Sequence, residues 1–175
     1  MNIRILLLFL ICISCAKTAP RMPINPKPST TLLSETLDAS KTLNKLEETK
    51  ILNYIKRDSL NNYIQSSNGF WYKYIHKINK DLPTPTKGNE VVFEYEILDL
   101  NDSIIYAKKD LGLKTYKIDK EDFITGLQKG LKIMKEGETI SFIIPSYSAF
   151  GVTGDGDKIG INQTIKSTVT LINIK

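Results

Sequence analysis

Outside its first fifteen residues this 175-residue chain has no cysteine; Cys12 and Cys15 are the only two. The globular part therefore has no disulfide, no thiol metal site and no cysteine nucleophile. Histidine occurs once, as His76. A single imidazole cannot build a histidine metal site alone, and its surroundings read as a surface or edge strand. No metal and no cofactor are expected. Concentrated charge is missing too. The formal net charge is +5, but the lysines are spread out with acids nearby, as in Lys45/Glu48 and Lys135/Glu138. That pattern reads as solvated surface and excludes the clustered basic footprint of a nucleic-acid-binding protein.

Long apolar runs are also absent. Ile5–Ile13, nine residues after Arg4, falls within the range of a signal-peptide core and short of a membrane-spanning helix. Ser14-Cys15 follows at once. A small residue before cysteine here resembles the bacterial lipoprotein processing site, which implies cleavage before Cys15 and its lipidation. The alternative is an ordinary secretory signal cut nearby, after Ala16 or Ala19. Residues 1–15 are thus expected to be an address. Residues 16–31 carry Pro20, Pro23, Pro26 and Pro28, which block helix and sheet and favour a semi-rigid spacer. The segment fits a tether that holds a domain off a membrane, in the cell envelope, facing the periplasm or exterior.

What is present begins with a helical reading of residues 32–66, where Leu43, Leu46, Ile51, Ile55, Tyr63 and Ile64 form a discontinuous stripe. Its first expected role is packing on the domain that follows; the alternative is self-association into a homodimer. Residues 69–78, 91–100, 103–107, 114–118 and 167–174 read as strands by β-branched and aromatic content, with Asn101-Asp102 as a hairpin turn. Between them, Phe123, Ile124, Leu127, Leu131 and Met134 recur near helical spacing. Gly126 and Gly130 sit inside that helix at about 1 kcal/mol each against alanine, so a close backbone or ligand approach is expected to compensate. A tight turn at Glu136-Gly137 and an apolar strand follow. Antiparallel strands with one helix define the α+β class.

The stretch from Asp122 to Gly151 is similar in order and spacing to the FKBP-type peptidyl-prolyl isomerases. The matching residues are Phe123-Ile124-Thr125-Gly126-Leu127, Ile133-Met134-Lys135-Glu136-Gly137-Glu138, Ile143-Ile144-Pro145 and Ala149-Phe150-Gly151. The resemblance extends over residues 69–175. Lys120 to Gly130 and Met134 to Thr139 further resemble the FKBP-like gliding-motility lipoproteins of Bacteroidetes, the GldI group. The family resemblance implies a twisted antiparallel sheet wrapped over one short helix, prolyl isomerase activity, and proline-containing polypeptide clients. It implies catalytic positions at Tyr95, Tyr106 and Phe150. It implies substrate-binding positions at Ile105, Tyr116, Phe123, Ile124, Leu127, Ile159 and Ile161. Four residues depart from the family pattern: Tyr106 stands for an aspartate, Leu127 for a tryptophan floor, Phe150 for a tyrosine and Ser167 for a phenylalanine. Bulk is kept at most of these positions, while several polar handles are expected to be missing.

Overall fold

The structure, a computed structural model, describes residues 30–58 and 62–175. The expected signal, Cys15 and most of the proline-rich spacer lie outside those residues. The chain divides into two compact units, residues 1–36 and residues 37–175. Helix α1, Thr30–Arg57, runs through the boundary. No helix among the described residues is long and apolar enough to cross a membrane.

The second unit is one antiparallel sheet. Its strands are β1 (Ile64–Gln65), β2 (Trp71–His76), β3 (Glu90–Leu98), β4 (Ile104–Tyr106), β5 (Leu113–Lys117), β6 (Thr139–Ile144) and β7 (Ile165–Ile174). The lateral order is β1-β2-β6-β7-β3-β4, and β5 also pairs with β3. A short helix α2, Lys108–Leu111, separates β4 from β5. Helix α3, Thr125–Leu131, lies on one face of the sheet. This is the α+β architecture expected from the sequence.

The two faces follow from side-chain alternation. In β3, Val91, Phe93, Tyr95 and Ile97 point into the main core, while Val92, Glu94 and Glu96 stay half-exposed. In β6, Ile140, Phe142 and Ile144 join that same core under α3. The alternate residue Ile143 joins a second core with Ile51, Tyr54 and Trp71 on the α1 face. Covered on both sides, β6 reads as a near-continuous apolar run.

Gly126 and Gly130 do what their helical positions require. A Cβ on Gly126 would lie 2.5 Å from the Ile144 Cγ2, and one on Gly130 would lie 2.7 Å from the Phe142 ring. Helix α3 therefore rests its backbone directly on β6. Gly137 forms the expected tight turn at φ +86°, and its N–H donates to the Leu171 carbonyl at 2.7 Å.

Three readings need correction. The helix expected over residues 32–66 ends at Arg57. Ile64 and Gln65 instead pair with Tyr72 and Trp71, because a neighbouring strand edge outweighs an apolar stripe of helical spacing. The apolar face from Phe123 to Met134 is helical only from Thr125 to Leu131. The Lys135/Glu138 pair is not solvated surface: Glu138 is 1 % exposed. Its carboxylate accepts the backbone N–H groups of Ile78 at 3.0 Å and Lys135 at 2.8 Å.

Candidate functional site

A cavity of about 510 Å³ opens between the segment leading into α3, the C-terminal half of β3 and the loop after β6. Tyr95, Phe123, Phe150 and Ile97 supply much of its apolar wall. Phe123 is the hinge of that wall. Its ring lies 5.7 Å from Phe93, 5.6 Å from Tyr95 and 5.7 Å from Tyr116 by centroid. Such edge and tilted contacts fix a ring beyond simple area burial. Its carbonyl is held as well: the Gln128 side-chain amide donates to it at 2.6 Å. Helix α3 thereby locks Phe123, two residues before its first turn. Ile124, the residue before the helix, has extended ψ of 116° and also faces the cavity.

Two local features aim the remaining side chains. The β3–β4 hairpin shifts register between Ile97 and Leu98, so that Ile97 pairs with Tyr106 and Leu98 with Ile104. Directly opposed residues share a face, and Ile97 and Tyr106 both reach the cavity. Helix α2 then brings Leu111 to the same rim.

The polar end of the cavity is a tyrosine–carboxylate pair. The Tyr106 hydroxyl donates to Asp155 Oδ2 at 2.5 Å and to Asp157 Oδ2 at 3.2 Å. The first distance is that of a charge-assisted bond. Asp155 Oδ1 also accepts the N–H groups of Asp157 at 2.9 Å and Ile159 at 2.8 Å. The hydrogen bond to Asp155, with burial second, pushes the Tyr106 pKa up to about 12. Burial opposes charge on Asp155, yet the bonds from Tyr106 and the loop N–H groups outweigh it and hold its carboxyl below the ordinary 3.8. A carboxylate is thus present at the cavity, although the position aligned with the expected aspartate is Tyr106. It arrives from the loop after β6.

Of the expected site residues, Tyr95, Tyr106, Phe123, Ile124 and Phe150 converge on the cavity. Tyr116, Leu127 and Ile159 are buried in the main core behind it. Ile105 is half-buried against that core without lining the cavity. Ile161 is 68 % exposed and borders a separate surface depression with Glu47 and Asp99. Ser167 does not close the pocket; it is fully buried and donates its hydroxyl to the Glu96 carbonyl at 2.8 Å. The cavity residues not anticipated are Ile97, Leu111, Asp122, Ala149 and Asp155. A larger polar cleft, about 580 Å³, lies on the α1 side. Its Lys73 and Lys166 are already paired with Asp58 and Asp102.

The site is thus an aromatic-walled cavity beside the start of the short helix that packs on an antiparallel sheet. Residues 83–172 match the family model of the FKBP-type peptidyl-prolyl cis-trans isomerases, and the chain belongs to that family. A probable FKBP-type peptidyl-prolyl cis-trans isomerase FkpA of Neisseria meningitidis serogroup B (strain ATCC BAA-335 / MC58) is 35% identical over 91 residues. That match covers 51% of this chain and 33% of the relative, so the chain spans about a third of its length. Among solved structures, a peptidyl-prolyl cis-trans isomerase of Pseudomonas syringae pv. tomato str. DC3000 superposes with a TM-score of 0.62 at 19% identity. It covers 78% of this chain and 96% of that one. FkpA from Escherichia coli gives 0.59 at 21% identity, covering 85% and 74%. At these identities the structural likeness is one of fold.

The Tyr106–Asp155 pair yields a prediction. Tyr106→Phe should free the loop of residues 153–160 and weaken binding of a proline-containing peptide by about tenfold, the low end for a hydrogen bond to a charged group. Its pH dependence follows from the lowered Asp155 pKa. A carboxylate lowered on folding contributes stability that is present above its unfolded value and lost as pH falls through the folded one. Peptide affinity should therefore be flat from about pH 5 to about pH 10 and decline only in stronger acid. Calorimetric titration across that range checks it; a midpoint near neutrality would contradict the assignment.

Proposed function

We propose that this chain is a peptidyl-prolyl cis-trans isomerase acting on exported or envelope proteins. The observation that carries the reading is the convergence of Tyr95, Phe123, Ile124 and Phe150 on one cavity in a chain of this family. An X–Pro bond rotates over a barrier of about 18–20 kcal/mol and exchanges in tens to hundreds of seconds. Lowering it requires no covalent intermediate. The twisted amide loses nitrogen–carbonyl resonance and carries less charge separation than the planar one. An apolar cavity that grips the prolyl ring and excludes water favours that state. Rate enhancement then comes from binding the twisted form more tightly than either planar form. Phe123 and Tyr95 would grip the ring, Ile124 would offer backbone groups to the peptide, and Phe150 would cover it. The test is acceleration of X–Pro exchange in a peptide or a refolding protein.

A second reading, a non-catalytic peptide-binding chaperone or assembly factor, draws on one feature. The Tyr106 hydroxyl already donates to Asp155, and Phe150 has no hydroxyl to offer a substrate carbonyl. Binding of proline peptides without acceleration would select this reading.

The chain is further proposed to be lipid-anchored through Cys15 with its domain in the envelope, and to serve gliding-motility machinery. The run Ile5–Ser14 before Cys15 and the GldI-like run Lys120 to Gly130 support this. Cys15→Ser should move the protein from the membrane fraction to the soluble fraction. Continued membrane association of the variant would contradict the anchor.

A further inference from the structure

Helix α1 packs on the face of the sheet opposite α3, through Ile51 and Tyr54 against Trp71 and Ile143. The cavity lies on the other side. One hydrogen-bonded path joins the two. Glu47 sits on the same helix stripe, four residues before Ile51, and is 7 % exposed. Its Oε2 accepts the Ser146 backbone N–H at 2.9 Å, and its Oε1 accepts the Ser146 hydroxyl at 2.5 Å.

Ser146 opens the short 3₁₀ turn, Ser146–Ser148, that follows β6. The residue before it, Pro145, makes no side-chain cap. Glu47 thus satisfies from another element the first N–H of the turn, one of the groups a helix start leaves without an internal partner. The Ser146 carbonyl in turn accepts the N–H groups of Ala149 at 2.9 Å and Gly151 at 2.8 Å. Those two amides bracket Phe150, and both Ala149 and Phe150 line the cavity. A single carboxylate on α1 therefore grips the residue whose carbonyl holds both sides of the cavity rim.

Simple docking of α1 needs no such group. An apolar side chain would dock the helix without desolvating a charge. The carboxylate adds direction, because it fixes both polar groups at the start of the rim turn. We infer that Glu47 is a positioning residue for the pocket rim, and that α1 is a part of the site's support. The kinetic consequence rests on the isomerase reading; the structural one does not.

The test uses the full chain with Glu47→Ala, Glu47→Gln and Ser146→Ala. Glutamine can still accept the Ser146 N–H through its carbonyl while its amide donates to the hydroxyl. Trp71, the only tryptophan, lies in the core under α1 and reports helix docking by fluorescence. Hydrogen exchange at Ala149 and Gly151 reports the rim. In Glu47→Ala, exchange at those two amides should rise about tenfold and kcat/KM should fall about tenfold, with the Trp71 signal retained. Glu47→Gln should return both to within about threefold, and Ser146→Ala, which loses one of two bonds, should fall between. Unchanged exchange and kcat/KM in Glu47→Ala would overturn the inference. So would loss of protection spread equally over α1 and β6, which is the signature of anchoring alone. If α1 detaches in Glu47→Ala, Ser146→Ala decides, because it keeps the helix anchored through the remaining bond. A wild-type chain without turnover would sink the isomerase reading, and the exchange arm would still decide the role of Glu47.

Discussion

Replacing Phe123 with alanine should lower kcat/KM for an X–Pro peptide on the order of a hundredfold, the cost of misplacing a bound group by about 1 Å. Phe123 is the one ring that touches Phe93, Tyr95 and Tyr116 together while also facing the cavity. Its removal deletes the wall and releases Tyr95, the wall beside it. The same change should destabilise the fold by about 3 kcal/mol, the low end for phenylalanine truncation, since the side chain is only half-buried. Phe123→Leu separates the two effects. Leucine keeps most of the volume, so stability should fall by less than about 1.5 kcal/mol, while the flat face that packs on a prolyl ring is still lost. Unfolding curves and progress curves on the two variants check this. Full activity in Phe123→Leu would mean that the cavity uses bulk alone.

The second large effect concerns the two glycines of α3. In an isolated helix, Gly→Ala at each would gain about 1 kcal/mol. Here the added methyl would meet Ile144 Cγ2 at 2.5 Å or the Phe142 ring at 2.7 Å. Ile144 is branched and Phe142 is a ring, both on a central strand, so neither can swing aside cheaply. Overpacking of this kind costs about 1–3 kcal/mol and should exceed the propensity gain. Gly126→Ala and Gly130→Ala are therefore expected to be net destabilising, read as lower midpoints of denaturant unfolding. Phe142→Leu should recover part of the loss in Gly130→Ala by opening space above it. A stabilised alanine variant would show that backbone approach to β6 is not what these glycines provide.

Those glycines also mark what could be read before any coordinates. Their cost inside a helix demanded a close neighbour, and β6 is that neighbour. The strand content of β3 and the turn at Gly137 are legible for similar local reasons. The end of α1 was not. Tyr63 and Ile64 continue an apolar spacing that suits a helix, and only the free edge of β2 explains why Ile64 pairs there instead. In the site, Tyr95, Phe123, Ile124 and Phe150 sit on elements whose order the sequence shows, so the family spacing reached them. Ile97 depends on a register shift in the hairpin, and Leu111 depends on a four-residue helix between strands. Neither leaves a periodic trace. Asp155 is not legible at the aligned position, Tyr106, because the carboxylate comes from a loop 49 residues further along the chain. Ile159 and Ile161 could not be told apart in a glycine-rich loop, yet one is buried and the other exposed.

The proposed activity is a lowering of the barrier to X–Pro rotation within this cavity. A protease-coupled assay on X–Pro peptides, run with the folded full chain and with Phe123→Ala, tests it most directly. The expected result is acceleration that grows in proportion to wild-type concentration and is nearly abolished in the variant. A rate equal to buffer alone, from a chain shown to be folded and to bind the same peptide, would contradict it.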